Sequence, residues 1–148
     1  NNSIKIVLSY ISVLEYKNNI IIDISKREKP ILNLINKKIK SYYFKDIEVL
    51  TFQLEELIAE KIRAIIQRNK PRDYLDIYYI LNKKNFNIKK SFEIAKQKLK
   101  VDNDILDTKR IFNDLDVVKS LWEQDLRGIL PNIPNFNIVI KKLKRQLK

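Results

Sequence analysis

The stretch that most constrains this chain is Leu54 to Leu81, LEELIAEKIRAIIQRNKPRDYLDIYYIL, because a proline sits between two helical patterns and fixes where each must end. In the first, Leu54, Leu57, Ile58, Ile62, Ile65 and Ile66 recur at helical spacing, so one face of a helix of about fifteen residues is apolar. Thr51 is placed to cap it, and Glu55 and Glu56 stand near its positive end. The helix must stop before Pro71, since the residue preceding a proline is pushed out of the α region and proline suits the first turn of the next helix. In the second pattern Asp73, Asp76 and Ile80 share one side, while Tyr74, Leu75, Tyr78 and Leu81 form a broad apolar face.

Ionisable groups crowd this corner. Lys61 stands four residues after Leu57 and four before Ile65, on or beside the apolar stripe, where an ammonium must snorkel or find an acid. Arg68 follows on nearly the same face, and Arg72, Asp73 and Asp76 come just past the break. Two readings stay open. In one, Arg72 and Asp76 form an ordinary i, i+4 pair and the remaining charges cap the helix start. In the other, the corner is an anion site with a carboxylate beside it.

The 148 residues, 45% hydrophobic, suit one domain or a small domain with an appendage. With no cysteine and no histidine, disulfides, thiolate catalysis, Cys/His zinc sites and histidine general bases are excluded. No apolar run approaches the ~20 residues that span a membrane and no signal-peptide pattern opens the chain, so a soluble cytoplasmic protein with no membrane partner is expected. A chain without any methionine reads as a fragment or a processed piece.

The N-terminal third carries strand-like periodicity. Ile4 to Leu8, Tyr10 to Tyr16 and Ile20 to Ser25 are rich in β-branched and aromatic residues, with Lys17-Asn18-Asn19 as a turn signal. Pro30 to Ile39 reads as a short helix or loop, and Ser41 to Phe44 with Ile47 to Phe52 as a further strand pair around Lys45-Asp46. Asp23, flanked by isoleucines in IIIDIS, is costly to bury ionised. It either faces solvent by simple alternation or faces a cleft, where it is paired or bound to a metal. After Leu81 the pattern is helical, with helices expected from Asn87, from Asp102 or Asp104, and from Phe136 to the end; Trp122 continues an apolar face. The expected fold is α+β: a small mixed or antiparallel sheet over residues 1–52, then an all-helical domain over residues 53–148.

The net charge of +12 is concentrated in two segments, residues 82–100 with seven basic and one acidic group and residues 128–148 with five basic and none acidic. Such clustering is the electrostatic footprint of a polyanion such as RNA, with Lys141, Lys142, Lys144 and Arg145 as the candidate contacts. A composition biased to Lys, Asn and Ile gives the same count without any partner.

The corner, with its leucine-rich helix, its lysine, an arginine and then RDxxD, resembles the AbiEii/AbiGii-like abortive-infection nucleotidyltransferase toxins. IIIDIS upstream, LEEL running into the lysine helix, and a Trp-containing helix followed by a Pro-Asn-Phe segment agree in order, so the resemblance covers roughly residues 20–140. It implies a nucleotidyltransferase palm followed by a helical domain, transferring a nucleotidyl group from an NTP to an RNA or protein acceptor with Mg2+, and an antitoxin partner. It further implies that Asp23 matches the third palm carboxylate and metal ligand. Lys61, Arg68 and Arg72 would hold the triphosphate, and Asp73 and Asp76 would orient the acceptor or hold the corner. The family pattern opens with a Gly-Ser loop and a paired DxD. Here the sole glycine is Gly128, no DxD occurs in the first strands, and Asp114-Leu115-Asp116 falls in a helix. The chain is therefore expected to be the portion downstream of that motif and inactive alone. A non-catalytic basic module binding RNA or an antitoxin is the alternative.

Overall fold

A computed structural model describes residues 3–25, 29–82 and 86–147. Its order is β1 (Ser3–Ile11), β2 (Lys17–Ser25), β3 (Ile35–Ile39), β4 (Ile47–Thr51), α1 (Leu54–Arg68), α2 (Pro71–Ile80), α3 (Ile88–Val101), a 3₁₀ turn (Thr108–Phe112), α4 (Leu115–Leu126) and α5 (Phe136–Gln146). The α+β class with a helical C-terminal part is thus observed. The β portion consists of two separate antiparallel hairpins, β1-β2 and β3-β4. Internal contacts divide the chain into residues 1–30 and residues 31–148.

In the first unit, β1 and β2 pair from Ser3↔Ser25 to Ile11↔Lys17. Side chains that oppose each other across an antiparallel pair share a face. One face therefore collects Ile4, Ile6, Leu8 and Tyr10 with Ile20, Ile22 and Ile24. The other is largely polar, with Lys5 opposite Asp23 and the Ser9 hydroxyl donating to Asn19 Oδ1 at 2.7 Å. The turn lies at Ser12–Tyr16, immediately ahead of the Lys17-Asn18-Asn19 that sequence signals favour. It is closed by Ser12 N–H donating to the Tyr16 carbonyl and Glu15 N–H to the Ser12 carbonyl, both at 2.9 Å. Glu15 takes the left-handed position at φ 62°. Lys17-Asn18-Asn19 is instead strand, because Asn19 gains a cross-strand partner there.

The second unit also shifts one expectation. Residues 35–39, expected in a helix or loop, form β3 and pair with β4 from Ile35↔Thr51 to Ile39↔Ile47, which leaves Ser41 to Phe44 as the connecting tip rather than a strand. Thr51 is a strand residue whose hydroxyl donates to the Ile35 carbonyl at 3.5 Å. Gln53 stands at the α1 N-cap, without a side-chain cap bond.

The helical core is built on α1 and α2. α1 packs on α2 and α3, and α2 packs on α4 and α5, so α2 lies at the centre. Ile58, Ile62 and Ile65 of α1, Tyr74 and Ile77 of α2, Leu99 of α3, Leu126 of α4 and Leu143 of α5 are fully buried. α1 ends as Pro71 requires: Asn69 adopts the left-handed conformation at φ 50° and its N–H returns to the Ile65 carbonyl at 3.0 Å. Pro71 then opens α2 at its first position. The buried Tyr74 locks the turn, its hydroxyl meeting the Ile111 carbonyl at 2.7 Å and Asn69 Oδ1 at 2.6 Å. Burial, with Asp114 and Asp73 adding to it, pushes that hydroxyl's pKa well above the usual tyrosine range. Trp122 is a core residue, its indole N–H donating to the Pro134 carbonyl at 2.8 Å and its ring edge-on to Phe136 at 5.3 Å. Among the described residues no helix is long and apolar enough to cross a membrane.

Candidate functional site

The helical corner brings four of the expected residues together. Asp73 lies in the first turn of α2, fully buried, and faces back toward α1. Arg68, at the end of α1, clamps it with two bonds, Nε to Oδ2 at 2.8 Å and a terminal nitrogen to Oδ1 at 2.7 Å. Lys61 reaches the same Oδ1 at 3.3 Å and Asp76 Oδ2 at 2.6 Å. Bidentate arginine–carboxylate pairs are the strong, geometrically specific kind, and the bond to Asp73 holds the Arg68 pKa above its ordinary value. Asp76 is therefore the partner of Lys61, and no Arg72–Asp76 pair forms among the described residues. Arg72 is exposed beside the cluster.

This geometry separates the two carboxylates. Asp73 is buried and already accepts from two cations, so its chemistry here is to aim Lys61 and Arg68. Asp76 is partly exposed and shares the ammonium of Lys61, whose side chain is 28% exposed. The Arg68 guanidinium is half exposed and keeps free donors.

Asp23 lies in the other unit, exposed on β2 opposite Lys5. Among the described residues no three Asp or Glu side chains converge as a metal cage. One surface carboxylate opposite a lysine does not fit a two-metal centre.

On α5, Lys141 and Arg145 lie opposite the buried Val139, Ile140 and Leu143, and Lys142 and Lys144 lie at the flanks of that face. Lys141, Lys144 and Arg145 are exposed, while Lys142 bonds Asn82 Oδ1 and lies 5.2 Å from the Tyr78 ring centre. Lys144 stands 5.8 Å from the Phe112 ring centre. Lys83 and Lys84, part of the other basic segment, lie outside the described residues.

Sequence reasoning missed a second charge cluster, which joins α1 to α3. Lys98 of α3, nearly buried, reaches Glu56 at 2.6 Å and Glu60 at 2.7 Å, both on α1. Glu56, fully buried, also accepts the Ile31 N–H at 3.1 Å and the Leu32 N–H at 3.0 Å. Arg63 joins Glu60 at 2.9 Å and Asp102 at 3.0 Å, and Gln67 donates to Asp102 at 2.8 Å. The available signal was spacing, since Lys98 stands seven residues after Ser91 and four after Ile94 on the buried face of α3.

Burial alone would raise the Glu56 pKa, but the Lys98 bond and the two backbone N–H donors outweigh it and hold the carboxyl below 4.5. Burial likewise opposes the Lys98 charge, and the bonds to Glu56 and Glu60 outweigh it to hold the ammonium above 10.5. A depressed carboxyl stabilises the fold fully above its unfolded pKa and stops doing so as pH falls through the folded value. A raised lysine acts below its unfolded pKa and fails as pH rises through the folded one. Denaturation midpoints should therefore be flat through neutrality, drop on acidification below 4.5 and drop again above 10.5. In an E56Q variant the acid limb should be visibly shallower.

No curated protein and no solved structure matches this chain. A family profile described as nucleotidyl transferase AbiEii toxin, type IV TA system, matches residues 2–143, which spans both hairpins, α1 to α4 and most of α5. With nearly the whole chain covered, this protein belongs to the AbiEii nucleotidyl transferase toxin family of type IV toxin–antitoxin systems.

Proposed function

We propose that this chain contributes the helical, triphosphate-orienting part of a nucleotidyltransferase toxin, with residues 1–52 as part of the palm and residues 53–148 as the helical domain. The observation that carries this reading is the shared buried carboxylate, since Asp73 aims both Lys61 and Arg68 at a solvent-facing corner. Two fixed cations beside the exposed Arg72 suit a triphosphate, whose negative charge grows on the departing pyrophosphate. In the reaction an acceptor oxygen of RNA or protein bonds the α-phosphorus, the bond to the β-phosphate oxygen breaks, and pyrophosphate leaves. Lys61 and Arg68 are the candidates to neutralise the leaving group, and Asp76 is the candidate to yield Lys61 as the phosphate arrives.

Asp23 is proposed as a palm carboxylate that works only beside a paired DxD, which these strands do not contain. Nucleotide binding without turnover is thus the activity expected of the 148 residues by themselves. An antitoxin is the protein partner that family membership implies.

The test is NTP binding in magnesium, by calorimetry, to this chain and to its longest natural form. K61A should weaken binding by roughly 10-fold or more, a loss in line with removing one charge-assisted contact. Unchanged affinity in K61A and R68A would remove the reading. A second reading, RNA held by the cations of α5, is favoured by their clustering on one helix with Lys141, Lys144 and Arg145 exposed. It predicts that neutralising Lys141, Lys142, Lys144 and Arg145 lowers the salt slope of RNA binding by up to about 3, with Lys61 indifferent.

A further inference from the structure

The tip of the β3-β4 hairpin, residues 40–46, holds three consecutive aromatic side chains in open solvent: Tyr42 at 100%, Tyr43 at 89% and Phe44 at 81% exposure. Large rings normally bury most of their surface, so three adjacent ones that bury almost none require an account. The tip is nevertheless built. Ser41 Oγ accepts the Tyr43 N–H at 3.2 Å and the Phe44 N–H at 3.0 Å, and Asp46 Oδ1 accepts the Ser41 N–H at 3.4 Å. Three backbone N–H groups are thus satisfied from within the loop, and the rings are left outside.

Charge around the rings is net positive. Of the two nearby acids, Asp46 is paired with Lys38 at 3.3 Å, while Glu48 accepts from the neutral Asn36 amide at 2.8 Å and keeps its charge. Lys37, Lys40 and Lys45 are exposed, and among the described residues none of them forms an ion pair with an acid. Cations therefore flank the aromatic triplet on both sides in sequence.

We propose that this tip is a stacking platform for single-stranded nucleic acid, RNA in the first instance. Every base presents a π-face to an exposed ring whatever its identity, and the lysines meet the phosphates between stacked bases. A blunt duplex keeps its bases inside and offers these rings nothing but its ends. The hydroxyls on two of the three rings suit a wet stacking site better than hydrocarbon. The inference goes beyond nucleotidyl transfer and does not depend on it, because it requires neither an NTP nor the α1-α2 corner.

The test is fluorescence anisotropy of the full chain with a labelled single-stranded RNA of about 12 nucleotides, within the usual footprint of such sites, in the absence of NTP and magnesium. The combined variant Y42A/Y43A/F44A should bind on the order of 10- to 100-fold more weakly while keeping the parent's salt slope. K37A/K40A/K45A should lower that slope by up to about 2. Neutralising the four α5 cations should leave the loss caused by ring removal intact. Because the rings touch no core, the circular dichroism spectrum and melting temperature of the ring variant should match the parent. Equal affinity of parent and ring variant for the strand, equal competition by a blunt duplex, or ring-dependent binding to anionic phosphatidylserine vesicles instead of RNA would each overturn the proposal. Failure here leaves NTP binding by the corner untouched, since that is read from Lys61 and Arg68.

Discussion

Replacing Glu56 with alanine should cost about 3–5 kcal/mol of stability, the range for breaking a buried ion pair by removing one partner. In a domain of this size that lowers the melting temperature by on the order of 10 °C or more. Three losses coincide. The nearly buried Lys98 ammonium keeps Glu60 as a carboxylate neighbour but loses Glu56, and the Ile31 and Leu32 N–H groups lose their acceptor. The segment that leads into β3 is thereby unfastened from α1. What is lost is compensation more than attraction, so the cost should depend on Lys98 still being charged. E56A/K98M removes the stranded charge and should recover a large part of the loss, giving a coupling well outside additivity. Thermal melts of the parent, both single variants and the double variant check this. If the double variant lost the sum of the two single losses, the ion pair would not be what the cost rests on.

The second large effect falls on the corner. D73N keeps the size of the side chain but removes the charge that Arg68 and Lys61 share. About 1–3 kcal/mol should be lost, the penalty for a buried hydrogen-bonding group left poorly matched. The figure stays below that for Glu56 because Arg68 can turn to water and Lys61 retains Asp76. Nucleotide affinity separates positioning from contact. If Asp73 serves only to aim the two cations, D73N should bind an NTP no more than several-fold differently from the parent, while R68A binds distinctly worse. Complete loss of NTP binding in a D73N protein of parental stability would mean that Asp73 acts on the ligand itself.

The corner could be read from sequence because its determinants are local. Pro71 excludes a continuous helix, the spacing from Leu54 to Ile66 sets the buried stripe of α1, and Asp73 and Asp76 follow within two turns. The identity of the pairs was less accessible. Lys61 sits within reach of Asp76 only once α2 has folded back on α1, and local i, i+4 arithmetic prefers Arg72 instead. Glu56 and Lys98 are further apart still, 42 positions along the chain, and meet because α3 packs on α1. A single sequence has no signal for that meeting beyond two charges at buried helical positions.

The hairpins failed differently. Tyr42, Tyr43 and Phe44 have high strand propensity, but that propensity reflects packing against same-face neighbours, and a tip supplies none. Lys17-Asn18-Asn19 has turn chemistry, yet register is set by which face stays apolar. Pairing Ile4, Ile6 and Leu8 with Ile24, Ile22 and Ile20 moves the turn to residues 12–16. The polar alternative for Asp23 follows from the same alternation, which sets it opposite Lys5.

The lone indole gives this chain a built-in optical gauge. Trp122 is the single tryptophan, buried and bonded to Pro134 while packed on Phe136. Light absorbed selectively by indole therefore reports one place, the seam between α4 and the start of α5. Its emission should shift to the red when that seam takes up water, whatever the hairpins are doing. Far-ultraviolet dichroism sees all five helices at once. Superimposable transitions from the two signals would mark the helical bundle as a single cooperative unit, and an earlier indole shift would mark α5 as the first element to leave it.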